Sequence, residues 1–236
     1  MAAPTAPALP EGEDKTRAVR SMFDRIAPRY EAMNRILTFG LDAAWRRRTI
    51  TSLGLAEGAR ILDLACGTGD LYRLAQAQGY EVIGADLSLG MLEAASSPLR
   101  GVEADGAHLP FATASFDGLT CGYALRNFTD LDATIAEMAR VLRPGGRLSV
   151  IDVATPRSKV LRVGHGLWFK RAVPFIGGIF SDRDAYSYLP RSTAYLPPTE
   201  ELRRRFVAAG FSAVNCHLLS GGISQLLVGT RAGLPR

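Results

Sequence analysis

Apolar positions follow two different periods along this chain, and the change between them predicts its elements. From Val19 toward Trp45 they recur at three- and four-residue spacing, which is typical of amphipathic helices. From Ile61 onward, short apolar runs alternate with helical stretches over short connections, which predicts an α/β fold with a parallel sheet covered on both faces. The predicted strands lie at 61–64, 81–85, 99–104, 116–121 and 148–153.

The second half of the chain predicts two capped helices and a hairpin. Thr129 is predicted as the N-cap of a helix over 131–142, which Pro-Gly-Gly then ends, and Thr199 as the N-cap of the last helix. The runs 213–219 and 224–230 flank a Gly-Gly pair, which predicts a hairpin and an antiparallel last strand.

Two regions depart from this alternation. Residues 157–198 are rich in aromatic, glycine and basic residues, so we predict a helical cap inserted into the domain. Residues 1–13 are rich in alanine and proline and are predicted to be a flexible tail, which leaves 14–236 as one domain. The tail has neither the basic start nor the apolar core of a secretory signal, so we expect a cytoplasmic protein.

Composition and charge exclude several classes. With 236 residues, 47% hydrophobic and 22% charged, the chain is an ordinary globular protein rather than a disordered one. The net charge of +5 is mild for a nucleic-acid binder, and we interpret the arginine runs 46–48 and 203–205 as solvated helix faces. Three cysteines and three histidines are scattered along the chain, so no metal site is expected.

The first candidate site is the segment 63–70, which reads DLACGTGD and follows the first predicted strand. Ligands of open α/β sheets bind at the carboxyl ends of strands, and Gly67 and Gly69 permit close approach to the backbone. The dinucleotide fingerprint needs a third glycine where this chain has Tyr72, and the acidic ends of the segment would repel a pyrophosphate. A cationic ligand with a free amino group fits better.

Further acidic residues end the next two strands. Asp86 follows the glycine turn by about 20 residues, where a carboxylate can accept both hydroxyls of a ribose. Asp105 and Gly106 end the third strand, where a side chain and a backbone amide can meet an adenine edge. Together these strand ends predict an adenosyl-type cofactor. The residues predicted to bind it are Asp63, Gly67, Thr68, Gly69, Asp86, Asp105 and Gly106.

Several segments resemble those of a known family. The glycine turn and the RPGGR segment at 143–147 are similar to class I S-adenosylmethionine-dependent methyltransferases. More specifically, the chain resembles the ubiquinone/menaquinone biosynthesis C-methyltransferases over about residues 17–231. Three signatures carry this likeness: MFDRIAPRYEAMN at 22–34, LRNFTD at 125–130 and YSYLPRS at 186–192. The resemblance implies S-adenosylmethionine as cofactor and a Rossmann-like fold with a mostly parallel, seven-stranded sheet.

The resemblance also implies C-methylation of a prenylated quinol and suggests residue roles. Arg126 would stabilise the phenolate that activates the ring carbon, Asn127 would orient the ring oxygen, and Tyr30 would close the acceptor pocket. Where some relatives have a serine that touches the cofactor, this chain has Gly122, so a contact there uses the backbone.

Alternatives stay open for each of these residues. Arg126 could instead pair with Asp130 on a helix surface, and Tyr30 could be a core aromatic. The general base is unassigned, with His108 one candidate. A cofactor-binding protein without catalysis is a different class, but its expected sign, the loss of the glycine turn or of Asp86, is absent from the sequence.

The choice of quinol rests on composition. Only 3 of the 28 basic residues are lysine, which indicates a GC-rich genome and favours demethylmenaquinol over a ubiquinol precursor or a soluble aromatic acceptor. An apolar pocket wall from Phe128, Tyr186 and Tyr188 is expected. The basic and aromatic segment 157–180 could touch a membrane surface or pack as a lid on its own domain, and a homodimer is left open.

Overall fold

Seven strands of the computed structural model, which describes residues 11–156, 158–168, 185, 188 and 191–233, form a single sheet. In chain order they are β1 (Arg60–Leu64), β2 (Glu81–Asp86), β3 (Gly101–Glu103), β4 (Phe116–Gly122), β5 (Leu142–Val153), β6 (Phe211–Leu219) and β7 (Ser224–Arg231). Their order across the sheet is β3-β2-β1-β4-β5-β7-β6. The first five strands are parallel, and β7 runs antiparallel to both of its neighbours.

This topology confirms the predicted α/β fold, its antiparallel last strand and the hairpin. The last strand lies inside the sheet rather than at its edge, because β7 pairs with β5 on one side and β6 on the other. β1 shows why apolar runs predict parallel strands: after Arg60 it is buried at every position, as expected of a strand covered on both faces.

Helices cover the sheet and its carboxyl end. They are α1 (Gly12–Ile26), α2 (Tyr30–Leu37), α3 (Leu41–Thr51), α4 (Asp70–Ala77), α5 (Leu89–Glu93), α6 (Leu131–Val141), α7 (Lys159–Leu167) and α8 (Thr199–Ala208). The first helix begins at Gly12, two residues inside the predicted tail, whose first ten residues lie outside the described part. No helix in the described part of the chain is both long and apolar enough to cross a membrane.

Both predicted N-caps are wrong. Asp130, not Thr129, caps α6, since its carboxylate accepts a hydrogen bond from the backbone N–H of Ala133 at 2.9 Å. Thr199 is the first residue of α8, and its hydroxyl donates to the side chain of Gln225 at 2.8 Å. Spacing alone does not distinguish a capping side chain from a polar neighbour.

The predicted cap is seen only in part. Of residues 157–198, α7 and the turn Thr193–Tyr195 are helical, while much of the segment lies outside the described residues. Ala185 and Tyr188 are described, and both pack against α1 and α2 in a cluster with Met22 and Met33. The cap therefore contacts the N-terminal helices.

Candidate active site

A cavity of about 1000 Å³, counted with its mouth, opens at the carboxyl ends of β1, β2 and β4. Seven of the eight residues predicted from the sequence to bind an adenosyl cofactor line it, and the eighth, Gly69, lies in the glycine turn between two lining residues, Thr68 and Asp70. This edge is where ligands of open α/β sheets bind. The lining residues on the sheet side include Asp63, Gly67, Thr68, Asp70, Asp86, Asp105, Gly106 and Gly122.

The turn between β1 and α4 adopts a backbone that favours small residues. Gly67 and Gly69 have φ of +56° and +93°, and a Cβ atom on Gly69 would lie 2.8 Å from the side chain of Leu99. Ala65, in the same turn, also has a left-handed φ of 54°, which is strained for a residue with a side chain. Strain of this kind persists where the surrounding structure holds it, as it does at this cavity.

Asp86 is held at the end of β2 by backbone donors. Its two carboxylate oxygens accept hydrogen bonds from the N–H groups of Gly67, at 2.7 Å, and Ser88, at 2.9 Å. Burial raises the pKa of Asp86 to about 6, although these hydrogen bonds favour the charged form. The glycine turn and the predicted ribose-binding carboxylate are thus directly connected.

Asp63 lies deeper, at the base of the same cavity. One carboxylate oxygen accepts a hydrogen bond from the Thr120 hydroxyl at 2.8 Å, and the other, Oδ2, has no hydrogen-bond partner among the described residues. Burial raises the pKa of Asp63 to about 7, and the nearby charge of Asp86 adds to the effect. The buried amide oxygen of Asn127 is likewise unpartnered in the described structure.

These features fit S-adenosylmethionine. Buried acceptors without partners, at Asp63 and Asn127, leave room for the ammonium group and other donors of a ligand. At Gly106 a Cβ atom would lie 2.8 Å from the ring of Phe128, so only glycine leaves the backbone open at this point. The residues present therefore suit an amino-acid-bearing adenosyl cofactor.

The N-terminal helix α1 forms the roof of this cavity. Lys15 donates to the backbone carbonyl of Phe128 at 2.7 Å, and Asp24 accepts hydrogen bonds from the Ser88 hydroxyl at 2.5 Å and the Gly90 N–H at 3.2 Å. Burial lowers the pKa of Lys15 to about 8. The sequence indicated a helix here, but nothing in its periodicity showed which strand ends it would cover.

A second cavity, of about 930 Å³ with its mouth, lies beside the first and is mainly apolar. Its walls come from α2, α3, β5, β7 and the end of the α7 region. The apolar lining residues are Leu37, Phe39, Leu41, Trp45, Val153, Trp168 and Ile223. None of these residues was assigned to a site from the sequence.

Three residues line both cavities: Tyr30, Arg46 and Tyr123. Tyr123 follows β4 with a left-handed φ of 58°, and its backbone N–H donates to the carbonyl of Ile151 at 2.7 Å. Burial raises the pKa of its phenol, which therefore stays protonated. The two cavities meet at this shared wall, and Tyr30, predicted from the resemblance to close an acceptor pocket, is one of its residues.

Arg126 lines the second cavity, not the first. Its Nη1 contacts the carboxylate of Asp152 at 2.6 Å and donates to the carbonyl of Tyr123 at 2.8 Å, while Nε donates to the hydroxyl of Ser192 at 3.2 Å. The alternative pairing with Asp130 is wrong, because the guanidinium is buried beside Asp152 instead. Arg126 also holds the strained turn at Tyr123 through that carbonyl.

Comparison with known proteins decides the family. The model of the ubiE/COQ5 methyltransferase family matches residues 11–231. The chain belongs to this family. A demethylmenaquinone methyltransferase from Thermus thermophilus is 42% identical over 89% of this chain and 100% of its own length. A ubiquinone/menaquinone biosynthesis C-methyltransferase from Geobacter sulfurreducens is 36% identical over 92% of this chain and 90% of its own length.

Solved structures agree on the fold. A SAM-dependent methyltransferase from Thermotoga maritima superposes with a TM-score of 0.64 at 20% identity, covering 90% of this chain and 99% of its own. The resemblance drawn from the sequence signatures is confirmed by the family match. The chain is thus an S-adenosylmethionine-dependent methyltransferase with a Rossmann-like fold.

The prediction that arginines 46–48 form a solvated helix face is right for two of the three residues in this methyltransferase. Arg47 and Arg48 are exposed, as a solvated helix face requires, but Arg46 is buried and forms ion pairs with Asp42 and Asp70. The acidic residue four positions before Arg46 is the one sequence signal that could have indicated a pair. Nothing in the sequence indicated the contact with Asp70 across the cavity.

Several secondary expectations are also corrected. His108 is 86% exposed and lies outside both cavities, so it loses its support as a general base. Phe128 lines the first cavity rather than the second. Tyr188 packs with Met22 and Tyr30, and burial raises its pKa to about 12. Tyr186 lies outside the described residues.

Proposed function

We propose that this chain transfers a methyl group from S-adenosylmethionine to a ring carbon of demethylmenaquinol, forming menaquinol and S-adenosylhomocysteine and releasing the proton that the ring carbon carried. The observation that carries the proposal is the pair of adjoining cavities, one built on the glycine turn and lined by buried carboxylates, the other mainly apolar. The relative from Thermus thermophilus is named for this reaction. A polar cofactor and an apolar acceptor would then meet at the shared wall.

The first cavity supplies a group for each part of the cofactor. Asp86 would accept the ribose hydroxyls, Asp105 and the backbone of Gly106 would meet the adenine, and Asp63 would accept the ammonium group. S-adenosylmethionine supplies a methyl group attached to positively charged sulfur. Thr68 and Gly122 would contact the cofactor through the backbone, as their positions at the cavity wall allow, and Gly69 would keep the turn beside them close.

The second cavity would orient the acceptor. Its apolar walls suit a fused naphthoquinol ring and would leave the extra oxygens of a methoxylated benzoquinol without partners. Arg126 would stabilise the negative charge that develops on the quinol oxygen, since its guanidinium is fixed by Asp152 and Ser192 before substrate arrives. Tyr30 would hold the ring at the junction, and Asn127 would orient the ring oxygen from the first cavity.

A ubiquinol precursor is the second candidate acceptor. The name of the relative from Geobacter sulfurreducens includes both quinones, which supports it. The test is an assay of purified protein with methyl-labelled S-adenosylmethionine and both quinols present. We expect labelled menaquinol and a higher kcat/KM for demethylmenaquinol. A higher value for the benzoquinol would overturn the preference, and label in neither would favour a soluble aromatic acceptor.

We also propose that the protein contacts the membrane peripherally at the mouth of the second cavity. Phe39, which is 72% exposed, contacts the ring of Trp168 at 4.7 Å, and Val163 on α7 is 73% exposed. Along the sequence, the segment 156–181, which includes Val163 and Trp168, contains five basic residues and no acidic one. A basic segment with exposed apolar side chains suits an anionic bilayer. A prenylated quinol could then enter without crossing water.

Flotation with vesicles of phosphatidylcholine and phosphatidylglycerol tests this contact. Phe39→Ser combined with Val163→Ser should reduce the bound fraction several-fold, because both remove exposed apolar surface. Val207→Ser is the matched control, since Val207 is 47% exposed on α8, away from this face. Equal binding by all variants would contradict the proposal. Light scattering of the same samples would show whether the face instead pairs two chains in a homodimer.

A further inference from the structure

The shared wall contains a buried cation that the methylation scheme above does not use. Arg46, on α3, has a side chain only 10% exposed and is held by two carboxylates. Its Nη1 contacts Asp42, one helical turn earlier, and Asp70, at 2.9 Å, directly after the glycine turn. Although burial alone would lower the pKa of Arg46, Asp70 and other neighbours raise it, so the group stays charged.

Two of the three nitrogens of this guanidinium, which lies 5.9 Å from the centre of the Tyr123 ring, are free of hydrogen bonds to the described residues. Both ion pairs use Nη1, whereas Nε and Nη2 make no hydrogen bond to the residues that the structure describes. Nε and Nη2 form one edge of the planar group, and such an edge binds a carboxylate through two parallel hydrogen bonds. Because Arg46 lines the first cavity, an anion there could reach this edge without displacing Asp42 or Asp70.

The charges around the first cavity indicate which anion this is. At the glycine turn, the unpartnered Oδ2 of Asp63 offers an acceptor that suits an ammonium group, while both oxygens of Asp70 are already paired with arginines. The described cations that line this cavity are Arg20 and Arg46. Arg20 forms an ion pair with Glu103 on β3, beside the strand end assigned to the adenine. Arg46 is therefore the cation at the amino-acid end.

We propose that Arg46 binds the α-carboxylate of S-adenosylmethionine, with Asp42 and Asp70 positioning its guanidinium. This inference rests on the proposed cofactor site and adds a contact to it. The amino-acid end then has both of its charges matched, the ammonium by Asp63 and the carboxylate by Arg46. A cofactor without that carboxylate would gain nothing from the arginine.

The test compares two ligands and four proteins by calorimetry. The ligands are S-adenosylmethionine and its decarboxylated form, which keeps the sulfonium and the amine. The proteins are wild type, Arg46→Gln, Arg46→Lys and the control Arg47→Gln, whose side chain is exposed on the same helix. Arg46→Gln should raise the Kd for S-adenosylmethionine about 10- to 100-fold, the scale of a charge-assisted hydrogen bond. It should raise the Kd for the decarboxylated form less than about twofold.

Further expectations follow for the other variants. Arg46→Lys, which keeps the charge but not the planar edge, should fall between wild type and Arg46→Gln. Arg47→Gln should match wild type for both ligands. If Arg46→Gln is poorly folded because the buried carboxylate of Asp42 loses its partner, the double variant Asp42→Asn with Arg46→Gln removes that charge and answers the same question.

Each outcome has a distinct meaning. Equal weakening of both ligands would assign Arg46 a structural role and overturn the inference. Unchanged cofactor affinity with a raised KM for the quinol would overturn it too and assign the arginine to the acceptor. Failure of wild type to bind S-adenosylmethionine would instead contradict the proposed cofactor site itself.

Discussion

The two cavities share a wall but are built in opposite ways. The floor of the first is assembled from residues at successive ends of parallel strands, and its carboxylates and glycines come within a few positions of each strand. The second is assembled from α2, α3, β5, β7 and the α7 region, which are far apart in the chain. The difference shows that sheet topology alone can determine one binding site, whereas the neighbouring site depends on the tertiary packing of the helices over it.

Their chemistry differs as well. Asp63 and Asp86 give the first cavity buried carboxylates with raised pKa values, about 7 and about 6. The second cavity is mainly apolar, with Arg126 as a fixed cation on its wall. Variants in each cavity should therefore affect one substrate and spare the other.

The largest difference between the effect on quinol turnover and the effect on cofactor binding is expected from Arg126→Ala. Loss of a fixed donor to the developing oxyanion should lower kcat about 100-fold or more, while the affinity for S-adenosylmethionine changes little. The variant also leaves Asp152 buried without its partner, which should cost about 3–5 kcal/mol of stability. Steady-state kinetics and calorimetry at a temperature where the variant is folded measure both effects.

The control for this variant is Arg143→Ala, which removes an exposed arginine paired with Asp117. Such surface pairs contribute about 1 kcal/mol or less, so its kinetics and stability should stay close to wild type. Turnover by Arg126→Ala near the wild-type rate would show that Arg126 only supports the fold.

Asp86→Ala is expected to have the opposite pattern, with cofactor binding weakened and the quinol little affected. The variant should weaken the binding of S-adenosylmethionine by about 1.5–3 kcal/mol, the scale of hydrogen bonds to a charged group. The KM for quinol should stay nearly unchanged at saturating cofactor. Calorimetry measures the first and initial rates the second. Unchanged cofactor affinity would remove the ribose assignment.

The sequence predicted the first cavity well for a physical reason. Parallel strands bring their carboxyl ends to one edge, so Asp63, Asp86 and Asp105 could be placed together without knowing any packing angle. The roof, by contrast, depends on contacts such as Lys15 with the carbonyl of Phe128, between elements far apart in the chain. No local pattern encodes such a contact.

The second cavity could be predicted only through the resemblance. The family signatures indicated Tyr30 and Arg126, but not Trp45 or Ile223, which reach the cavity through packing. The same limit explains why the sequence suggested Asp130 as the partner of Arg126. Helical spacing is visible in a sequence, whereas the observed partner, Asp152, lies on β5. Buried partners of this kind appear only once the sheet is assembled.

A smaller effect concerns pH. A cationic cofactor favours the ionised carboxylates, so its Kd should rise about tenfold when pH falls from 8 to 6, mainly through Asp63 with its pKa of about 7. Asp63→Asn should flatten this dependence while lowering affinity. Calorimetry across that range checks it, and a Kd independent of pH would mean that Asp63 is not coupled to the cofactor.

The raised pKa of Asp63 also makes folding stability depend on pH, but stability falls as pH rises, whereas cofactor affinity increases. Between the ordinary value of 3.8 and about 7, the folded protein keeps a proton on Asp63 that the unfolded chain has lost. The stability of the cofactor-free protein should therefore decrease as pH rises through this window. Asp63→Asn should raise stability at pH 8 by about 1–3 kcal/mol, measured by denaturant unfolding. A loss of stability would contradict the raised pKa.

The smallest effect is expected at the mouth of the second cavity. Leu41 lines this cavity and is partly exposed there. Leu41→Ser should raise KM about threefold for a long-tailed demethylmenaquinol and leave a tail-less analogue unaffected, because it removes part of an apolar surface that only the tail would touch. Val207→Ser again serves as control. Equal effects on both acceptors would place the tail elsewhere.

The central claim is that the two substrates occupy separate cavities that meet at Tyr30, Arg46 and Tyr123. A crystal structure with S-adenosylhomocysteine and a short-tailed demethylmenaquinone tests it most directly. We predict the ribose on Asp86, the quinone ring beside Trp45 and Arg126, and the sulfur facing the ring across the shared wall. A quinone bound outside the second cavity, or a cofactor away from Asp86, would contradict the account.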